Sequence, residues 1–225
     1  MIDGALDISA PFDLPDLVWA GVRLQADPAD EAATGLAHED AETGAYAIAL
    51  PDTLGRAVGK RRREYLAGRL CAAHALRRLA APEALGQNGR APVWPAGTVG
   101  SITHTDRRAL AIASRRHARL GLDCEEVMGA EQAERLAPAI LAPGDAAVRP
   151  ASLGFAAFVT LVFSAKEAFY KAHSAAIGRV ADFTEARITG LAPDRLHLAF
   201  EGRDHMLRWR LSGSDCLTLL AEPAP

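Results

Sequence analysis

The sequence predicts an α+β fold built from two similar halves. Three observations carry this prediction. A strand, a long helical stretch and further strands follow one another in that order. The same order then repeats to the end of the chain. The composition, 49% hydrophobic and 24% charged, is that of an ordinary globular protein with ample apolar material for a core. At 225 residues the chain can form one large domain or two small ones. The halves are expected at 1–117 and 118–225, joined near Arg115–Arg119. No internal sequence repeat is evident, so the duplication rests on the layout.

Residues 1–16 are rich in Pro and Asp and read as irregular. Val18–Leu24 alternates well enough for a strand. Residues 28–43 are acidic and small and give no clear pattern, and Ala45–Leu50 fits a short strand or a helical turn. A helical region is expected from Pro51 through Leu79, with Leu66, Leu70 and Ala73 facing a core. It opens on a basic cluster, Lys60 to Arg63. Arg61 and Arg69 lie eight residues apart, two helical turns, so one face can present both guanidiniums. Residues 82–95 read as a loop. Thr98–His104, Arg108–Ser114 and Leu120–Glu125 read as strands, and Gly129–Leu141 as a helix ended by Pro143-Gly144. Residues 152–174 form the second long helix, with Phe155, Val159, Val162 and Phe169 as its apolar stripe. Four strands follow as an antiparallel meander, Ala186–Leu191, Leu196–Phe200, Met206–Leu211 and Cys216–Ala221, with turns at Pro193-Asp194, Gly202-Arg203 and Gly213-Ser214.

Several function classes are excluded. A formal net charge of −3 argues against bulk nucleic-acid binding. No run of about 18 apolar residues exists to span a bilayer, and Met1-Ile-Asp-Gly has neither the basic nor the apolar part of a signal peptide. Cys71, Cys124 and Cys216 are odd in number and widely spaced, which predicts reduced thiols in a cytoplasmic protein. There is no dinucleotide-binding glycine fingerprint and no Walker loop, and His117 and Cys124 lack zinc spacing.

The chemistry concentrates in two stretches. In Val162–Lys171, the residues Phe163, Glu167 and Lys171 recur every fourth position and share a stripe. A Glu four residues before a Lys also supports an isolated helix by about 0.2–0.5 kcal/mol, so a solvent-facing ion pair is the plain alternative. In Gly121-Leu-Asp-Cys-Glu125, the alternation of a strand puts Asp123 and Glu125 on one face and Cys124 on the other. Cys124 then reads as a small buried apolar residue. If Glu167 faces the acidic pair, three carboxylates meet. Such anions cannot sit together unpaired: one pKa rises or a cation neutralises them. Oxygen-only ligands suit Mg²⁺, which keeps waters and a substrate phosphate in its shell. His104, at a strand end after Ser101 and Thr103, fits a cationic group beside a phosphate or a plain strand-end histidine.

Three blocks occur in order: Arg61-Arg-Arg-Glu-Tyr-Leu-Ala-Gly-Arg69, then Pro92-Val-Trp-Pro with Val-Gly-Ser-Ile-Thr-His104, then Gly-Leu-Asp-Cys-Glu125 followed by Phe-Ser-Ala-Lys-Glu-Ala-Phe-Tyr-Lys171. Together they resemble the 4′-phosphopantetheinyl transferases, specifically the enterobactin-synthetase-component-D-like group of the two-half, surfactin-type class. The resemblance covers about residues 45–190. The chain departs from the pattern at Leu122, Cys124 and Phe163. It also lacks a basic residue near Gly86, for which Arg90 is the substitute.

The resemblance implies two halves with a pseudo-twofold relation, coenzyme A in the cleft between them, and a monomer. It implies transfer of the 4′-phosphopantetheine arm of coenzyme A to a serine hydroxyl of an apo acyl or peptidyl carrier protein. Adenosine 3′,5′-bisphosphate is released, in siderophore or secondary-metabolite assembly. It further implies that Arg61, Arg69, Arg90, Ser101 and His104 bind coenzyme A, the arginines and His104 at its nucleotide phosphates. Lys166 and Lys171 are expected at the pyrophosphate. Asp123, Glu125 and Glu167 are expected to hold Mg²⁺. Glu167 is the expected base for the carrier serine, directly or through water, with Lys171 stabilising or protonating the leaving phosphate and Asp123 completing the catalytic set. Two rivals remain: a non-catalytic binder of coenzyme A or carrier, and a Mg²⁺-dependent phosphohydrolase.

Overall fold

The computed structural model describes residues 2, 3, 6, 8–89 and 91–224. The chain divides into two compact units, Met1–His117 and Ala118–Pro225. Each combines a long helix with antiparallel strands, the expected α+β class.

In the first unit, β1 (Ile2–Asp3), β2 (Val18–Leu24), β7 (Val99–His104) and β8 (Arg108–Ser114) form an antiparallel sheet ordered β1-β2-β8-β7. Helix α1 (Gly59–Arg78) lies across β8, β2 and β7. Its leucines and alanines explain the fit, because small side chains let the helix approach the alanines of β8. Ala67, Leu70, Cys71 and Ala75 bury against Val22, Ala109, Ala111 and Ala113. At Gly68 an added Cβ would stand 2.8 Å from Ile102 Cγ2, so helix and strand touch closely there. Two short hairpins complete the unit: β3 (Gly35–Asp40) with β4 (Gly44–Ala49), and β5 (Gly86–Asn88) with β6 (Ala91–Val93). The second replaces part of the loop expected over residues 82–95. The helical region expected from Pro51 is also broken: a 3₁₀ turn at Asp52–Leu54 stops, and α1 starts only at Gly59.

In the second unit, β9 (His117–Glu126), β10 (Arg187–Leu191), β11 (Arg195–Phe200), β12 (Arg203–Ser212) and β13 (Asp215–Pro223) form a sheet ordered β10-β11-β12-β13-β9. The last four strands are the expected meander. The β11–β12 turn falls on Glu201-Gly202, one residue earlier than expected, and both have positive φ, 49° and 75°. Helix α3 (Phe155–Ile177) packs on β13 and against α2 (Ala130–Ile140). Phe158, Leu161, Val162, Ala165 and Phe169 form its buried stripe, against Leu198, Phe200, Leu207 and Leu220. Gly178, at φ 67°, ends the helix in the left-handed cap that suits glycine.

One glycine sets the spacing of the unit. A Cβ at Gly121 would lie 1.8 Å from the carbonyl oxygen of Ala168, so β9 passes directly against the backbone of α3. Gly121→Ala therefore forces strand and helix apart. It should cost at least about 1–3 kcal/mol, the usual range for overpacking. Gly129→Ala, whose Cβ meets nothing within 4 Å, serves as the control in parallel urea melts. Equal midpoints for the two variants would refute the close contact.

Candidate active site

The close passage at Gly121 places the acidic end of β9 beside the middle of α3. Lys171 Nζ donates to Asp123 Oδ1 at 2.6 Å and to the Leu122 carbonyl at 3.2 Å. Asp123 is 2% exposed, whereas Glu125 and Glu167 are half-buried. The plain alternative of a solvent-facing pair along one helix does not describe Lys171: its ammonium crosses to a buried carboxylate on a strand. Asp123, Glu125 and Glu167 lie close enough for their charges to act on one another. Burial first, then the negative charges of Asp123 and Glu167, push the Glu125 carboxyl up to about 7, against the opposing effect of Lys171. Burial also raises Glu167, with Lys171 lowering it and Asp123 raising it. Cys124 points the other way and is 1% exposed, as the alternation required.

The donor set suits a hard divalent cation. It is all oxygen, it carries three potential charges, and burial together with the charges of Asp123 and Glu167 works against ionisation of one member, Glu125. A cation in their midst would reverse that penalty. Phe163, one turn before Glu167, is half-buried and packs on Phe183 with ring centroids 5.3 Å apart.

Lys166 does not join this site, contrary to expectation. Its side chain is 0% exposed, and Nζ donates to Asp145 Oδ2 and to the Ile140 carbonyl, both at 2.8 Å. Asp145 also accepts from the amides of Ala142 and Ile188. The pair thus fastens α3 to the end of α2 and to β10, and it presents nothing to a pyrophosphate. Asp145 was not read from the sequence. It lies 21 residues from Lys166, in a short 3₁₀ turn with no helical spacing to betray it.

In the first unit, Arg61 and His104 come together, with Arg61 Nη1 3.2 Å from His104 Nε2. Glu64, unremarked in the sequence, lies 3.6 Å from Arg61 Nη1 and 3.7 Å from His104 Nε2, and so orients both. Its signal was its position three residues after Arg61. The rest of the basic cluster is engaged elsewhere. Lys60 pairs with Asp106 and Arg63 with Asp30, while Arg62 donates to the carbonyls of Ala33, Gly55 and Ala57. Arg69 is 8% exposed, donates to the Gly86 carbonyl at 3.2 Å and lies over the Tyr65 ring. A guanidinium has five N–H donors, so that bond leaves capacity for a phosphate. Arg69 is thus less openly presented than Arg61, and the two do not form one exposed face. Ser101 is buried, on the face of β7 opposite His104. Arg90 lies outside the described residues.

The model of the 4′-phosphopantetheinyl transferase N-terminal domain matches residues 50–114, and that of the 4′-phosphopantetheinyl transferase superfamily matches residues 119–221. The chain belongs to the 4′-phosphopantetheinyl transferase superfamily, and its function is the family's, transfer of phosphopantetheine from coenzyme A to a carrier protein. Within that family it is similar to enterobactin synthase component D. It is 39% identical to the Salmonella typhi protein over 180 residues, 76% of each chain. It is 40% identical to that of Salmonella typhimurium over 149 residues, 65% of this chain and 62% of the relative's length. It is also 37% identical to the 4′-phosphopantetheinyl transferase Npt of Nocardia iowensis over 140 residues, 60% of this chain and 62% of that protein.

Proposed function

We propose that Asp123, Glu125 and Glu167 hold Mg²⁺ and that Glu167 is the base of the transfer. The observation that carries this is Lys171 of α3, one turn after Glu167, reaching Asp123 on the acidic strand β9, beside a Glu125 carboxyl that burial and the charges of Asp123 and Glu167 raise to about 7. Asp123, Glu125 and Glu167 would hold the ion, and its positive charge would offset the negative charge that develops on the phosphate oxygens. Glu167 takes the proton of the carrier serine hydroxyl, directly or through one water. The serine oxygen bonds to the phosphorus bearing the pantetheine arm as the bond to the nucleotide phosphate breaks. Lys171, held by Asp123 and the Leu122 carbonyl, supplies a fixed ammonium beside the acceptors and steadies the leaving phosphate.

Arg61 and His104, with Arg69 behind them, receive the nucleotide phosphates, where a guanidinium matches phosphate oxygens in pairs. Arg61→Ala should weaken coenzyme A binding by about 10- to 150-fold, the value of one lost charge-assisted hydrogen bond of about 1.5–3 kcal/mol. Arg69→Ala should weaken it comparably and also loosen the β5 edge that its guanidinium holds. Dephospho-coenzyme A should bind worse than coenzyme A to the wild type and be almost indifferent to whichever substitution removes the 3′-phosphate receptor. Calorimetry showing unchanged coenzyme A affinity in both variants would return these arginines to a purely structural role.

The protein reads as a cytoplasmic monomer. Its three cysteines are free and buried, which suits a reducing compartment, and a single chain supplies both the basic and the carboxylate groups. No helix among the described residues is long and apolar enough to cross a membrane. The likeness to enterobactin synthase component D favours carriers of siderophore assembly. The reading is tested by following nucleotide release from coenzyme A with an apo carrier protein and with the same carrier lacking its serine hydroxyl. Adenosine 3′,5′-bisphosphate should form only with the first. Equal release with both would indicate a phosphohydrolase.

A further inference from the structure

A second cluster of metal-ligating side chains stands in the second unit, made of residues with no part in the transfer. Helix α3 presents His173, β12 presents His205 and β13 presents Glu222. Their ligating atoms all lie within 4.8 Å of one another. Glu222 Oε1 is 2.9 Å from His205 Nδ1 and 3.3 Å from His173 Nε2. Donor atoms bound at about 2.0–2.1 Å to one tetrahedral or octahedral ion stand about 2.9–3.4 Å apart, so both separations are those of shared ligation. The third edge, between the ligating nitrogens of the two rings, is no longer than 4.8 Å.

The protons make the case sharper. His173 Nδ1 is 3.2 Å from the Phe169 carbonyl oxygen. A carbonyl only accepts, so Nδ1 carries the hydrogen, and in the neutral ring Nε2 is a bare lone pair aimed at a carboxylate oxygen. Two acceptors at that distance repel unless a proton or a metal cation lies between them. His205 Nδ1, 2.9 Å from the same oxygen, becomes a ligand when the proton of its neutral ring sits on Nε2.

The surroundings look built. The His173 Nδ1–H to carbonyl bond is the usual way a ligating histidine is oriented. Arg119 Nη1 holds Glu222 Oε2 at 3.1 Å and turns Oε1 toward the rings. The Phe169 ring stacks on His173 at 4.5 Å and tilts against His205 at 4.9 Å, which fixes both ring planes. The side chains of His173, His205 and Glu222 are 10%, 12% and 27% exposed, so solvent and ions reach them.

We propose that His173, His205 and Glu222 form a transition-metal site of the zinc class, separate from the all-oxygen carboxylate site. Two imidazoles and one carboxylate favour Zn²⁺ over Mg²⁺, and three protein ligands leave a fourth position for water. A bound ion would tie the C-terminal part of α3 to β12 and β13.

The test uses untagged, chelator-stripped protein in excess Mg²⁺, titrated with Zn²⁺ and, separately, with Co²⁺, whose visible absorption reports nitrogen ligation. One ion should bind per chain. At about a hundredfold excess over its Kd, Zn²⁺ should raise the Tm by about 5–10 °C. His205→Ala and Glu222→Gln should each weaken binding by at least about 10- to 100-fold, since losing a ligand costs no less than losing its orienting partner. The Asp123→Asn, Glu167→Gln double variant should bind Zn²⁺ as the wild type does. Metal-free melts show which variants fold, and His205→Gln replaces any that does not. The proposal is overturned if the wild type shows no saturable Zn²⁺ binding. It is equally overturned if binding survives both the His205 and Glu222 substitutions, or disappears in the carboxylate double variant.

Discussion

Glu167→Gln should lower kcat by at least about 10²–10⁴, the range associated with one positioned base, while leaving the fold intact. The substitution keeps the shape and one hydrogen-bonding oxygen but removes the charge. The proposed Mg²⁺ loses an anionic ligand, and the carrier serine loses its proton acceptor. Asp123→Asn should also be severe, because it both weakens the metal site and releases Lys171 from its ion pair. Excess Mg²⁺ or Mn²⁺ should restore part of that loss, since metal affinity is what suffers most. Glu125→Gln should be the mildest of the three. Its carboxyl is raised to about 7, so its charge is only partly present at neutral pH in the metal-free site, and water can fill its place on Mg²⁺. A plain helix ion pair at Glu167 makes a different forecast: a few tenths of a kcal/mol of stability and unchanged turnover. Steady-state kinetics across a metal titration, with thermal melts alongside, separates the two. A folded, fully active Glu167→Gln enzyme would contradict the site.

The second large effect concerns stability rather than turnover. Asp145→Ala strands the Lys166 ammonium in a site with no exposure and takes the acceptor from the amides of Ala142 and Ile188. Breaking a buried pair on one side typically costs about 3–5 kcal/mol, which is a large part of a domain's net stability. Burial already pushes the Lys166 ammonium below its ordinary pKa, with Asp145 opposing, so losing Asp145 removes what keeps it charged. Lys166→Met, which keeps the aliphatic length, should cost less, and adding Asp145→Ala to it should cost far less than the two single losses combined. Chemical denaturation of the four proteins measures that coupling. Additive losses would mean that the two groups do not act as a pair. Coenzyme A affinity in folded Lys166→Met should equal that of the wild type. A large drop would return Lys166 to the pyrophosphate.

How much of this the sequence shows depends on how far apart the cooperating residues lie. The strand Arg108–Ser114 has the bounds its apolar run suggests, and the meander follows from alternation punctuated by glycine turns. Strand β3 has no buried residue, so its hydrophobic pattern is too weak to separate it from an acidic loop. Hairpin β5–β6 is short and almost wholly exposed, with the same result. Within the candidate site, Asp123, Glu125, Glu167 and Lys171 were legible because strand alternation and helical spacing are local rules. Lys166 was placed at the pyrophosphate by the family resemblance, and its partner Asp145, in another element, left no local pattern to show that the ammonium is buried. Gly121 did carry a signal: a glycine inside a strand marks a bulge or a close backbone approach. The meeting of His173, His205 and Glu222 has no local spacing at all, being assembled from a helix and two strands.

The most direct test of the carboxylate site is the mass of an apo carrier protein after incubation with coenzyme A and the purified enzyme. In Mg²⁺, the wild type should add one phosphopantetheine group per carrier and release an equal amount of adenosine 3′,5′-bisphosphate. With chelator, or with Glu167→Gln, the carrier should keep its apo mass over the same interval. A carrier modified equally fast by Glu167→Gln, or by wild type with all divalent metal removed, would contradict the account.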